Sequence, residues 1–253
     1  MDSNIKKQPL VSVTICTYNR ANFIMDAIHS IEEQTYKNIE IIIVDDASTD
    51  NTEELIKNYS SPLLIKYFKN KKNLNIAGTR NETIRYSSGE YIAILDSDDF
   101  WLDKEKISKQ VTFLESNPDF VLVGTHAQAI DANGTITGEF KNPLSAEEIK
   151  KVLLIKDPFV HSSVVYRKSF LPEKNPFNKN KSPFEDYELI LRLGRKYRMQ
   201  NLDILGVAYR IHSEGESKKL TFKKKLIYLF ILIRNIPYYS GFFTGIRKRL
   251  FHF

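Results

Sequence analysis

Apolar positions along the first hundred residues follow two alternating rhythms. Residues 11–16 (Val-Ser-Val-Thr-Ile-Cys) read as a strand, and residues 21–34 then place Phe23, Ala27, Ile28 and Ile31 on one helical face. Residues 39–44 are a near-continuous β-branched run, which predicts a strand covered on both sides. Asp50 and Glu53 have the spacing of a capping box at the start of a second helix. A strand over 63–68, a helix over 77–86 and a strand over 91–95 complete the series. Such alternation predicts an α/β fold, a mostly parallel sheet with right-handed crossovers and flanking helices.

After Asp99 the order becomes mixed. Helices are predicted over 104–116, 145–154 and 187–198, and strands over 120–125, 162–167 and 202–211. Asp131-Ala132-Asn133-Gly134 reads as a turn before a further short strand. No internal repeat or low-complexity linker interrupts the chain, so both halves are expected to share one sheet. The expected division is a polar lead over 1–8, one domain over 9–215 and a basic, apolar tail over 216–253. The lead carries Lys6 and Lys7 and has no apolar stretch of the secretory kind.

Composition changes this picture in two places. With 42% apolar residues the chain can bury an ordinary core, and its single cysteine, Cys16, excludes an internal disulfide and fits a reducing, cytoplasmic setting. The net charge of +6 would suggest nucleic acid, but nine Lys/Arg and no Asp/Glu fall within 218–253, leaving 28 basic against 31 acidic residues elsewhere. A basic stripe on a folded domain is therefore absent, and no nucleic-acid partner is expected. In the tail an apolar run over 226–233 lies between Lys223-Lys224-Lys225 and Arg234. It is far shorter than the ~20 residues of a bilayer span. An amphipathic basic helix on an anionic membrane surface is expected, the alternative being a helix packed on a partner subunit.

Three polar clusters follow predicted parallel strands: Thr17-Tyr18-Asn19-Arg20, Asp45-Asp46 and Asp96-Ser97-Asp98-Asp99. Open α/β sheets bind ligands at that edge. Three carboxylates in four residues repel one another unless a cation intervenes, and hard oxygen donors suit Mg²⁺ or Mn²⁺ bridging to phosphates. The competing reading is a solvated turn whose Asp99 caps the next helix. Phe100 and Trp101 are expected to wall a pocket. One member of Asp45-Asp46 is expected to be structural, and the other to accept a hydrogen bond from a base or ribose. Tyr18 offers a ring for base stacking, or is core. Arg80 can meet a diphosphate, or is an exposed helix-start residue. Glu185-Asp186 opens a helix, where acids either cap or take a proton from an acceptor. His212, on residue type alone, reads as a surface histidine, and His161 as a residue lining the acceptor side.

The segment 11–20, Asp45-Asp46-Ala47-Ser48-Thr49-Asp50, Gly89-Glu90-Tyr91-Ile92 and Leu95-Asp96-Ser97-Asp98-Asp99 together resemble glycosyltransferase family 2, over about residues 9–215. The resemblance implies an inverting enzyme of the GT-A fold that binds a nucleotide-sugar. It implies donor contacts from Thr17, Tyr18, Asn19, Asp46, Arg80, Asp96 and Asp98, with Tyr18 and Asp46 on a uracil base and Asp96 on the sugar or ribose. Metal ligation by Asp98 and His212 and Asp186 as catalytic base follow from the same resemblance; Glu185 is expected to be structural or acceptor-binding, and Trp101 to lie on the acceptor side. A UDP-sugar donor is expected, with a glycan or lipid-linked glycan of the cell envelope as acceptor and a location at the inner membrane face. There is no Gln-x-x-Arg-Trp segment and there are no long apolar spans, which argues against a processive synthase. A dehydrogenase or a nucleotidylyltransferase would carry glycines after the first strand, whereas the first glycine is Gly78. The rival from another class is a catalytically silent surface protein of the same fold, but Asp98 and Asp186 are both present.

Overall fold

The first half folds as its alternation predicts. Strands β1 (Val11–Thr17), β2 (Ile39–Asp45), β3 (Leu64–Lys69) and β4 (Tyr91–Ile94) lie parallel in the order β3-β2-β1-β4. Helices α1 (Ile24–Glu32), α2 (Thr52–Asn58) and α3 (Asn75–Tyr86) connect them. The computed structural model describes residues 8–213 and 221–250. Register sets the functional edge: Thr17 lies beside Asp45, and the Leu95 amide donates to Thr14, so β1, β2 and β4 end at one rim.

The second half extends the same sheet. It comprises β5 (Phe100–Trp101), α4 (Lys106–Ser116), β6 (Phe120–Ile130), β7 (Ile136–Phe140), α5 (Ala146–Val152), β8 (Val165–Arg167), α6 (Glu185–Leu193) and β9 (Arg198–Arg210). The order continues β4-β8-β6-β9-β5, with β8 antiparallel to β4 and β6, β6 parallel to β9, and β5 antiparallel to β9. Strand β7 folds back on β6.

Alternating strand residues feed two cores. Val11, Val13, Ile15, Ile41 and Ile43 pack with Ile24, Ile28 and Ile31 of α1 and with Ile107, Val111 and Leu114 of α4. Ile92, Ile94 and Tyr166 face the opposite layer, where Ile84 of α3, Ile149 of α5 and Leu189, Ile190 and Leu191 of α6 converge. Helix α7 (Phe222–Asn235) belongs to that layer too: its Tyr228, Ile231 and Leu232 are buried against it. A further helix, α8 (Phe242–Leu250), follows. The expected boundary at 216 lies outside the described residues.

Some boundaries and one cap differ from expectation. The helix expected over 187–198 runs from Glu185 to Leu193, because Arg198 is already paired with Phe120 in the long β6–β9 ladder. The capping box expected of Asp50 and Glu53 does not form. Asp50 instead accepts from the Thr52 amide and the Ala21 amide, tying two loops together, while Glu53 pairs with Lys57 and Lys69. A capping box does form at Ser145 and Glu148, at the start of α5.

Gly89 is where β4 enters the sheet against β1. Its amide donates to Ser12 Oγ at 2.8 Å, and a Cβ there would lie 2.6 Å from the Ser12 nitrogen and 2.7 Å from the Leu10 oxygen. Those are backbone atoms, so no side-chain rotation relieves the clash. Gly89→Ala is expected to cost about 1–3 kcal/mol, as overpacking typically does. A urea titration should report it as a lower midpoint with unchanged slope.

Candidate active site

The rim of β1, β2 and β4 is organised around Arg80, which α3 buries beneath the cleft. Its Nη1 donates to Glu185 Oε1 at 2.7 Å and lies 3.7 Å from Asp186 Oδ2, while Nη2 donates to Asp96 Oδ1 at 3.0 Å. One guanidinium thus gathers three carboxylates from β4 and α6. At 7% exposed, it is not the exposed helix-start arginine of the alternative reading. Removing one partner of such a buried charge cluster costs about 3–5 kcal/mol.

The two adjacent acids of α6 part company. Glu185 is 1% exposed and keeps one oxygen, Oε2, buried without a partner. Burial raises its carboxyl to about 7, despite Arg80 alongside. The Asp186 side chain is 22% exposed and reaches the cleft. Glu185, expected to be structural or acceptor-binding, therefore lies beneath the surface, and Asp186 is the exposed member of the pair.

Asp96 to Asp99 divide their work in the same way. Burial pushes the Asp96 carboxyl up, but Arg80, His161 and Ser162 together outweigh this, so it sits below its ordinary value. Asp98 Oδ2 accepts from or pairs with His212 Nε2 at 2.9 Å, and Arg20 Nε lies 3.5 Å away. Asp99 faces inward, where it accepts from the Ser162 hydroxyl and, at 2.8 Å, from the Arg210 amide. Burial, then the charges of Asp98 and Asp96, raise its carboxyl well above the ordinary value. Asp99 does not cap α4; it bolts the loop to β9 and to the turn at His161–Ser163. Arg210 completes the clamp, donating to the Asp98 carbonyl, to the Ala132 carbonyl and to Asp26 Oδ2.

Asp45 and Asp46 also separate. Asp45 accepts from the Ser48 amide and the Tyr67 hydroxyl, which makes it the structural member. Asp46 uses Oδ1 for the Asn70 amide group and the Leu74 amide. Tyr18 stands at the mouth, 46% exposed. Asn19 has a left-handed backbone, φ 52°, and its side-chain oxygen accepts from the Thr49 amide, so in this loop it holds shape. Thr17 Oγ1 is buried without a partner.

Trp101 is corrected outright. It is 4% exposed, packs in the α1–α4 core and donates to the Ser162 carbonyl, so it walls no pocket. The reason is β5: two residues pair with Ala208 and Val207 of β9, turning the indole inward. His161 lies in the cleft instead, where both ring nitrogens are buried without partners, and burial lowers its imidazole to about 4. Ser162 and Arg210 were missed, and no spacing in the chain marks them; Arg20 was read only as the last member of the polar cluster after β1. Orphaned buried polar atoms recur at Thr17, Arg80, His161 and Glu185, around the same cleft. Unpaired buried polar groups are costly, so their clustering is what a ligand site would leave.

The family model "Glycosyl transferase family 2" matches residues 12–173. An Escherichia coli protein, the UDP-Glc:alpha-D-GlcNAc-diphosphoundecaprenol beta-1,3-glucosyltransferase WfaP, is 34% identical over 212 residues, 82% of this chain and 80% of its own. Among solved structures, S. aureus TarS in complex with UDP-GlcNAc superposes with TM-score 0.73 at 20% identity, covering 95% of this chain and 73% of that one. The mannosyltransferase PcManGT from Pyrobaculum calidifontis, in complex with GDP-Man and Mn²⁺, gives TM-score 0.64 at 19% identity, covering 91% and 64%. The fold is that of these enzymes.

The state of Glu185 sets a pH dependence. Its folded value of about 7 lies above the ordinary 4.5, so the folded protein holds a proton that the unfolded chain releases. That contribution to stability is complete below the ordinary value and is lost as pH rises through the folded one. Glu185→Gln should therefore flatten the fall of Tm between about pH 5 and 8. Parallel Tm curves for the two proteins would contradict the assignment.

Proposed function

The chain belongs to glycosyltransferase family 2, and from that premise we propose a metal-dependent, inverting, non-processive transfer from a UDP-sugar to a hydroxyl of a lipid-linked envelope glycan. The observation that carries this reading is the exposure of Asp98 and Asp186 into one cleft while their neighbours Asp99 and Glu185 are buried. The E. coli relative, whose name joins a UDP-Glc donor to a diphosphoundecaprenol acceptor, supports the choice of substrates.

Tyr18 offers its ring to the base, and Asp46 accepts from a base N–H with the oxygen its loop leaves unused. Thr17 Oγ1 is an unpaired hydroxyl at the same rim. Asp96, kept ionised and oriented by Arg80, accepts from a sugar or ribose hydroxyl. Among the described residues no cluster of three or more metal-binding side chains exists. The adjoining Asp98 oxygen and His212 nitrogen nevertheless fit Mn²⁺ or Mg²⁺, which commonly take one or two protein ligands and complete their shell with water and substrate phosphates. Bound there, the ion neutralises charge on the departing diphosphate. Asp186 takes the acceptor proton as that oxygen bonds to the anomeric carbon and the carbon–diphosphate bond breaks.

Two substitutions separate these roles. Asp98→Asn should abolish metal-dependent UDP binding in calorimetry. Asp186→Asn should leave that binding nearly unchanged while turnover falls by roughly two orders or more. Normal turnover of Asp186→Asn, or a product with the donor's anomeric configuration, would reject the inverting base.

The tail supports a peripheral place on an anionic membrane. No helix among the described residues is long and apolar enough to cross one. Opposite the buried face of α7, Phe222, Leu226, Phe230 and Ile233 stand exposed three or four residues apart, flanked by Lys223 and Arg234. An in-plane helix buries such a stripe at the headgroup boundary. Replacing Phe222, Leu226 and Ile233 by Ser should lower co-sedimentation with phosphatidylglycerol vesicles at least about tenfold, given the transfer energy of each side chain. Equal sedimentation of both proteins would end this reading.

A further inference from the structure

Arg20 touches two parts of the cleft at once. Its Nη1 donates to the Asn19 carbonyl at 3.1 Å and lies 3.5 Å from the Tyr18 carbonyl, while its Nε lies 3.5 Å from Asp98 Oδ2. The guanidinium therefore spans from the residue that offers its ring to the base to the residue that offers its carboxylate to a metal. In a nucleoside diphosphate the phosphates follow the base and ribose, and they are the part that a divalent ion bridges.

The backbone that aims this side chain is fixed. The Arg20 amide donates to Thr52 Oγ1 at 3.1 Å, and its carbonyl accepts from the Phe23 and Ile24 amides, both at 3.0 Å. The pairing with Asp98 is loose by comparison, since 3.5 Å is longer than an ordinary charge-assisted bond. The Arg20 side chain is also 15% exposed, so an incoming ligand can reach it. Two neighbouring arginines are engaged more closely. Arg80 gives Nη1 and Nη2 to Glu185 and Asp96, and Arg210 gives its three nitrogens to the Asp98 carbonyl, the Ala132 carbonyl and Asp26.

Asp98 Oδ2 is a shared atom. His212 Nε2 stands 2.9 Å from it. Adjacent ligands in an octahedral shell with bonds of about 2.1 Å are separated by about 3 Å, so an ion held by this pair lies against that same oxygen. With about 2.1 Å from ion to oxygen and 3.5 Å from oxygen to Arg20 Nε, the two cations come within about 6 Å. At that separation like charges oppose each other. A diphosphate reverses the sign, because its oxygens bind the ion and accept from the guanidinium together.

We propose that Arg20 couples metal to nucleotide: it opposes a divalent ion bound alone at Asp98 and His212, and it stabilises the ion that arrives with a diphosphate by donating to that diphosphate. This rests on the metal-dependent UDP-sugar donor proposed above and adds the residue that makes the ion's affinity conditional on the nucleotide. By linkage, the factor by which the nucleotide raises ion affinity equals the factor by which the ion raises nucleotide affinity. Arg20 contributes to that one factor, so ion and diphosphate enter and leave together.

The test uses Mn²⁺ alone, UDP with saturating Mn²⁺, and uridine as probes. Arg20→Gln should bind Mn²⁺ alone at least about threefold more tightly, read from the paramagnetic resonance of the free ion. The same variant should bind UDP with Mn²⁺ roughly tenfold more weakly in calorimetry. Its uridine affinity, read by ligand-observed NMR, should match that of the unchanged protein. Arg20→Lys returns the charge and should move both altered affinities part of the way back. Equal or weaker Mn²⁺ binding by the Gln variant, or an equal UDP affinity, overturns the coupling and leaves the metal-dependent donor standing. A parallel loss of uridine affinity assigns Arg20 to the shape of its loop, which also overturns it. If Mn²⁺ has no effect on UDP binding by the unchanged protein, the metal-dependent donor falls and this coupling falls with it.

Discussion

A single buried cation decides how the cleft is built. Arg80 holds Asp96 at the end of β4 and Glu185 at the start of α6, two elements that are far apart in the chain. Without it, two or three carboxylates would face one another in a place where water screens them poorly. Burial of charge is tolerated only where partners are supplied with good geometry. The guanidinium supplies them, and it fixes the distance between the donor rim and the helix that carries Asp186. A lysine would bring one point charge in place of a planar fork and could not bridge the same atoms.

Within this frame, neighbouring acids perform different tasks because the backbone turns them to different sides. Asp45, Asp99 and Glu185 face inward and tie strands, turns and helices together. Asp46, Asp98 and Asp186 are next to them in sequence and keep an oxygen for the cleft. The inward set supports the outward set. Asp99 is the clearest case, since it links the loop that carries Asp96 and Asp98 both to β9 and to Ser162, whose hydroxyl also accepts from the Asp96 amide.

Much of the first half was legible because its signals are local. A continuous β-branched run such as residues 39–44 has few alternatives to a buried strand, and the polar clusters follow wherever such strands stop. Which of two adjacent carboxylates faces the cleft was not legible, because facing depends on contacts made by residues a hundred positions away. Resemblance favoured Asp186 over Glu185, and burial supplies the physical distinction. Trp101 was misread for the same reason. Its orientation is set by pairing with Val207, and two residues leave no periodicity to detect. In α7, apolar residues occupy two opposite faces. Composition alone suggested a surface segment, whereas packing commits Tyr228, Ile231 and Leu232 to the core.

That two-sided helix has a consequence for the order of assembly. During synthesis the strands and α6 leave the ribosome before α7 does. Until α7 arrives, the back of the helix bearing Glu185 and Asp186 is an open apolar surface, since Phe184 and Tyr187 rest on Tyr228. A nascent chain, or one cut near residue 215, can complete its sheet yet lacks the backing of its acidic helix. The rim of the cleft at Asp186 would then be the last region to gain rigidity, and its completion would coincide with the appearance of the exposed apolar stripe on α7.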